Sequence, residues 1–124
     1  MRCSREEFED MVREAVDEVP DVFRPYLENL RIDVEDMPSR ADCDAADVDD
    51  PRSLLGLYHG TPLTERSVEH MCRFPERIAI YQSNIQRMGR NRRQIVRQIR
   101  KTVLHEIGHH FGLDEDDLSE LGYG

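Results

Sequence analysis

An α+β domain is the fold this sequence predicts, from three observations. Apolar residues recur at helical spacing near the N-terminus, and three short apolar stretches in the middle of the chain are bounded by turn residues. A longer helical pattern then occupies residues 92–110.

The first helix is announced by Ser4 and Glu7, the S-x-x-E spacing of a capping box, in which each side chain satisfies a backbone N–H that the helix leaves unpaired. Phe8, Met11, Val12, Ala15, Val16 and Val19 follow on one face until Pro20 stops the pattern, so residues 4–19 are predicted as an amphipathic helix. Residues 21–29 read as a short helical turn. Leu30, Ile32 and Val34 then alternate with Arg31, Asp33 and Glu35, the period-2 signature of a half-buried strand. Residues 37–52 hold two prolines, a series of aspartates and few apolar side chains, and are predicted to be a solvated surface loop. Asp42, Asp44 and Asp47 invite a calcium reading, but the glycine and distal glutamate of an EF-hand loop are missing.

Residues 54–58 form a short apolar run closed by Gly60 and Pro62, and residues 77–81 form another opened by Pro75, so both are predicted as strands. Gly89 breaks the chain and Asn91 is placed to cap a further helix. Ile95, Ile99, Val103 and Ile107 recur at i, i+4 with Val96 and Phe111 beside them, which makes residues 92–110 the second long helix. No internal repeat, linker or compositional break marks a second unit, and residues 1–124 are expected to form one domain.

Composition narrows the function classes. At 124 residues and 14.5 kDa the chain has the usual size of one domain and should bury roughly two thirds of its unfolded surface. Charged residues make up 35% and the mean hydropathy is −0.70, with no apolar run near the roughly 20 residues needed to span a bilayer, so no membrane association is expected. The N-terminus runs directly into acidic residues without the apolar stretch of a secretory signal, and the expected location is cytoplasmic. Cys3, Cys43 and Cys72 form no C-x-x-C pair, which disfavours both a disulfide framework and a thiolate zinc site and leaves three reduced thiols.

The net charge of −9 disfavours nucleic acid as a partner, because a phosphate backbone calls for net positive surface. The charges are unevenly spread: residues 33–50 carry eight acids and one base, whereas residues 87–101 carry seven bases and no acid. Arg93, Arg97 and Arg100 share a helical face and could meet phosphate, but a solvated face pairing with the acidic loop is the simpler expectation.

Chemistry concentrates on the second long helix, in His105-Glu106-Ile107-Gly108-His109, an H-E-x-x-H sequence. Residues four apart lie one turn above each other, so both imidazoles leave the same face and can bind one metal ion at about 2.0–2.1 Å. Glu106, set to one side, can hold its carboxylate over a water on the metal and accept its proton. At 100° per residue Glu106 falls almost in line with Ile95, and a glutamate at the margin of a core needs a partner or a function.

Two histidines do not complete a zinc site, and the fifteen residues after His109 offer a limited choice of third ligand and no methionine for a Met-turn. Gly112 ends the helix, and a chain turning back there can bring Asp114, Glu115 or Asp116 to the metal. Spacing places Glu115 last in H-E-x-x-H-x-x-G-x-x-ligand, and with glycine about 7% of average composition its presence at the turn is about a one in fourteen coincidence. The competing reading is an acidic run, residues 114–117, opening another helix. His110 points near the middle of the apolar stripe and reads as a structural, hydrogen-bonded histidine rather than a ligand. Tyr58, Tyr81 and Tyr123 could each donate to an oxyanion, but strand tyrosines are more often packed, so Glu106 alone is assigned to catalysis.

The stretch Thr102-Val103-Leu104-His105-Glu106-Ile107-Gly108-His109-His110-Phe111-Gly112 resembles the minimal zincins, small bacterial metallopeptidases of the zincin-like superfamily. Gly56-Leu57-Tyr58-His59-Gly60-Thr61-Pro62-Leu63-Thr64 and Pro75-Glu76-Arg77-Ile78-Ala79-Ile80-Tyr81-Gln82 extend the resemblance over nearly the whole chain. It implies a compact zincin-like domain: a small mixed sheet of three to four strands packed on two main helices, the metal beside an exposed edge strand. It also implies His105 and His109 as zinc ligands and Glu106 as general base. That family usually has aspartate where this chain has Glu115, one methylene longer, which keeps Asp114 and Asp116 in contention.

The function expected is zinc-dependent hydrolysis of peptide bonds, in peptides or in an extended protein segment pairing with the sheet edge. Only residues 37–52 and 60–74 are available as the far wall of a cleft, so it is either shallow or completed by a partner protein. There are two alternatives: an inactive metal-binding or adaptor domain on the same scaffold, and a metal-dependent ribonuclease. The ribonuclease pattern has three histidines and no glutamate at the second position, and this chain differs in both respects.

Overall fold

A computed structural model describes residues 2–28, 30–60 and 76–111, with His110 and Phe111 described for their backbone alone. Helix α1 spans Arg5–Asp17; Ser4 accepts from the Glu7 N–H and Glu7 accepts from the Ser4 N–H, so the capping box predicted from the sequence is formed. Phe8, Met11, Val12 and Ala15 are its buried stripe. A 3-10 turn, Asp21–Phe23, and the short α2, Arg24–Leu27, occupy the predicted helical turn.

Strand β1, Arg31–Glu35, β2, Gly56–His59, and β3, Arg77–Tyr81, form a three-stranded mixed sheet in the order β1-β3-β2, within the expected three to four strands. β3 is central and Ile78, Ala79, Ile80 and Tyr81 are all fully buried. It runs parallel to β1, pairing Ile32 with Ile78, and antiparallel to β2, pairing Tyr58 with Ile78. Among the described residues β2 is therefore an edge strand.

The long helix, Arg92–Phe111, packs on both α1 and β2. Asn91 accepts from the Gln94 N–H at 2.9 Å, which confirms it as the cap. Ile95, Ile99, Val103 and Ile107 of this helix meet Phe8, Met11 and Ala15 of α1 and Ile78 and Ile80 of β3 in one apolar core. Val19, Phe23 and Leu104 form a smaller cluster at its border.

Two elements differ from expectation. Residues 37–52 are not simply a solvated loop: they hold helix α3, Arg40–Ala45, and a 3-10 turn, Pro51–Ser53. Ser39 and Asp42 make a second capping box, and the helix ends with Asp47 at φ 56°, where the Val48 N–H reaches the Cys43 carbonyl and the Asp47 N–H the Asp44 carbonyl. Aspartates that read as solvated are thus capping residues, and Cys43 between them is buried. The second addition is α4, Gln82–Gln86, directly after β3. The long Arg92–Phe111 helix is accordingly α5.

The expected link between the helical arginines and the acidic loop is also corrected. Arg100 pairs with Glu18 at 2.9 Å and Arg92 with Glu14 at 3.0 Å, both on the α1 side, because α1 and not the acidic segment lies against this flank of α5. Cys3 and Cys43 are free thiols; Cys72 lies outside the described residues. No helix among the described residues is long and apolar enough to cross a membrane.

Candidate metal centre

The edge strand and α5 build the site together. The Tyr81 N–H donates to the Leu55 carbonyl across the antiparallel pair, and ladder bonds alternate along such a pair. Residues 55, 57 and 59 therefore turn their backbone groups to β3, while residues 56 and 58 turn theirs outward. The outward Tyr58 N–H donates to Glu106 Oε1 at 2.9 Å. Glu106 Oε2 has no hydrogen-bond partner among the described residues, so one oxygen is anchored and the other is available.

This contact requires β2 to lie very close to α5, and Gly56 makes that possible. A Cβ there would sit 2.6 Å from Thr102 Cγ2 and 3.1 Å from the Ala79 carbonyl oxygen. Thr102 cannot readily swing aside, since its Oγ1 donates to the Gln98 carbonyl at 2.8 Å.

His105 and His109 lie one turn apart on α5, their ring centroids 4.3 Å apart and their planes inclined by 46°. His105 and Glu106 are half-buried and His109 is exposed. Two adjacent imidazoles at the solvent margin, beside a carboxylate held by backbone, fit a zinc ion. Among the described residues no third histidine, cysteine, aspartate or glutamate joins them. Asp114, Glu115 and Asp116, the sequence candidates for that place, lie outside the described residues, as do Gly112 and the His110 side chain.

Neither of the two tyrosines in described strands is directed to an oxyanion. Tyr58 donates its hydroxyl to Glu76 Oε2 at 2.5 Å. Tyr81, fully buried, donates to Asp42 Oδ2 at 2.8 Å, and burial followed by the Asp42 hydrogen bond and charge drives its phenol well above the usual tyrosine range. Tyr123 lies outside the described residues.

Sequence reading found the two imidazoles and the carboxylate but missed the Tyr58 amide and Gly56. The requirement that Glu106 find a partner was the available signal; that the partner is a main-chain N–H depends on strand register, which no side-chain pattern reveals.

Against known proteins, the family model described as zincin-like metallopeptidase matches residues 27–124. A solved structure of a conserved hypothetical protein from Thermus thermophilus has a TM-score of 0.51 at 21% identity, covering 88% of this chain and 94% of that one, and bears on the fold alone. No curated protein sequence matches the chain.

Proposed function

The chain belongs to the zincin-like metallopeptidase family, and on that premise we propose that it is a zinc-dependent metallopeptidase hydrolysing peptides or extended protein segments. The single observation that carries this reading is the Glu106 carboxylate, which comes from the same helix that stacks the His105 and His109 rings one turn apart and is held on β2 by the Tyr58 N–H. An incidental glutamate would not be fixed there by an outward-facing strand amide.

His105 and His109 would hold the ion, with Glu115 as the third ligand and Asp114 and Asp116 as its competitors for that position. Zinc in such a site supplies Lewis acidity, polarising the scissile carbonyl and bringing the pKa of water to about 7. Glu106 accepts the proton of the attacking water on Oε2 and delivers it to the leaving amine, while Oε1 stays on the Tyr58 N–H and limits the carboxylate's freedom. The substrate enters as an extended chain alongside β2, the strand whose Tyr58 N–H holds the carboxylate. A partner protein could complete the far wall of the cleft.

Glu106→Gln keeps the shape and the amide contact but cannot take a proton. Assayed on a proteome-derived peptide library with zinc supplied, it is expected to lose on the order of 10²–10⁴-fold in turnover. Undiminished cleavage by this variant would remove Glu106 from the chemistry. No cleavage by the native protein would favour the inactive, metal-binding alternative.

A further inference from the structure

The flank of α5 facing α1 carries a feature that peptide hydrolysis does not use. Four arginines, Arg92, Arg93, Arg97 and Arg100, surround a cavity of about 630 Å³ floored by the buried Val96 and walled on the α1 side by Glu14 and Glu18. The two glutamates are already neutralised, Glu14 by Arg92 and Glu18 by Arg100. Arg93 and Arg97, one turn apart and exposed, have no acidic partner among the described residues. The cavity thus presents two uncompensated guanidinium groups in a concave setting, on a chain whose net charge is −9.

We infer that this groove docks an acidic segment of a partner protein, a short extended stretch whose carboxylates pair with Arg93 and Arg97. Guanidinium is the group best suited to bidentate carboxylate pairing, and two free cations spaced one helical turn apart accept two carboxylates rather than a long polyanion. A long nucleic acid strand is disfavoured because the groove presents only two unpaired guanidinium groups, on a chain whose net charge is −9, whereas a short segment needs just two contacts. With 3.6 residues per turn, the groove residues of α5 lie roughly 80–180° round the helix from His105. Docking therefore leaves the histidine face open and does not depend on the catalytic reading.

The test is fluorescence anisotropy of the intact chain with a labelled peptide containing four consecutive glutamates, at low ionic strength. Saturable binding is expected, weakened at least tenfold in Arg93→Glu/Arg97→Glu, two exposed positions whose replacement is expected to leave the circular dichroism spectrum unchanged. Glu14→Gln/Glu18→Gln, which frees Arg92 and Arg100, should tighten binding several-fold. Equal binding by native protein and the arginine double variant, or no saturable binding at all, would overturn the inference. A single-stranded oligonucleotide of equal charge that binds the groove more tightly than the peptide would overturn it in favour of nucleic acid.

Discussion

At Gly56 the edge strand approaches α5 so closely that a methyl group would fall 2.6 Å from Thr102 Cγ2, and this closeness lets the Tyr58 N–H reach Glu106. Gly56→Ala must push β2 outward or distort Thr102, whose hydroxyl is tied to the Gln98 carbonyl. Urea denaturation should show a loss of about 1–3 kcal/mol, the usual result of overpacking. Adding Thr102→Ser removes the colliding methyl while keeping the hydroxyl, and should restore most of the loss. Native stability in Gly56→Ala alone would mean that the strand does not need this approach. The sequence shows Gly56 only as one residue of a short apolar run, since its role is defined by a helix 46 residues away.

Helix α3 illustrates which elements a sequence discloses. α1 was legible because its cap, its apolar stripe and its stop signal agree over residues 4–20. α3 uses the same capping device at Ser39 and Asp42 but has only Cys43 buried, so no periodic stripe could advertise it. It is attached to the sheet instead by polar contacts: Tyr81 donates to Asp42 Oδ2, and His59 Nε2 lies 3.7 Å from Asp42 Oδ1. That attachment has a pH signature. The folded-state pKa of Tyr81 is raised above its ordinary value of 10, so its contribution is complete below pH 10 and is lost as pH rises beyond it, when only the unfolded chain releases the proton. Stability should then fall by about 1.4 kcal/mol per pH unit from this one group. Burial also raises Cys3, which contributes alike to native protein and Tyr81→Phe, so the difference between their denaturation profiles isolates Tyr81. Tyr81→Phe is expected to be less stable at pH 7 and to have a shallower alkaline decline; parallel profiles would contradict the assignment.

For the whole molecule, the α+β class, the three strands and both main helices could be read from periodicity and turn residues, because core-facing side chains dominate those elements. The strand order could not, since β3 is inserted between β1 and β2 by long-range pairing rather than by local sequence. The same division applies to the site. His105, Glu106 and His109 are legible because a single helix sets their spacing, whereas the Tyr58 anchor joins residues 48 positions apart. Glu115 depends on the chain beyond the helix and is argued from spacing alone.

Metal content of the untagged protein after dialysis, determined by plasma mass spectrometry, tests the central claim most directly. The account predicts about one zinc per chain, retained in Glu106→Gln and lost in His109→Ala, because the imidazoles hold the ion and the glutamate does not. A folded native protein that retains no zinc, or a His109→Ala variant that retains as much as the native chain, would contradict it.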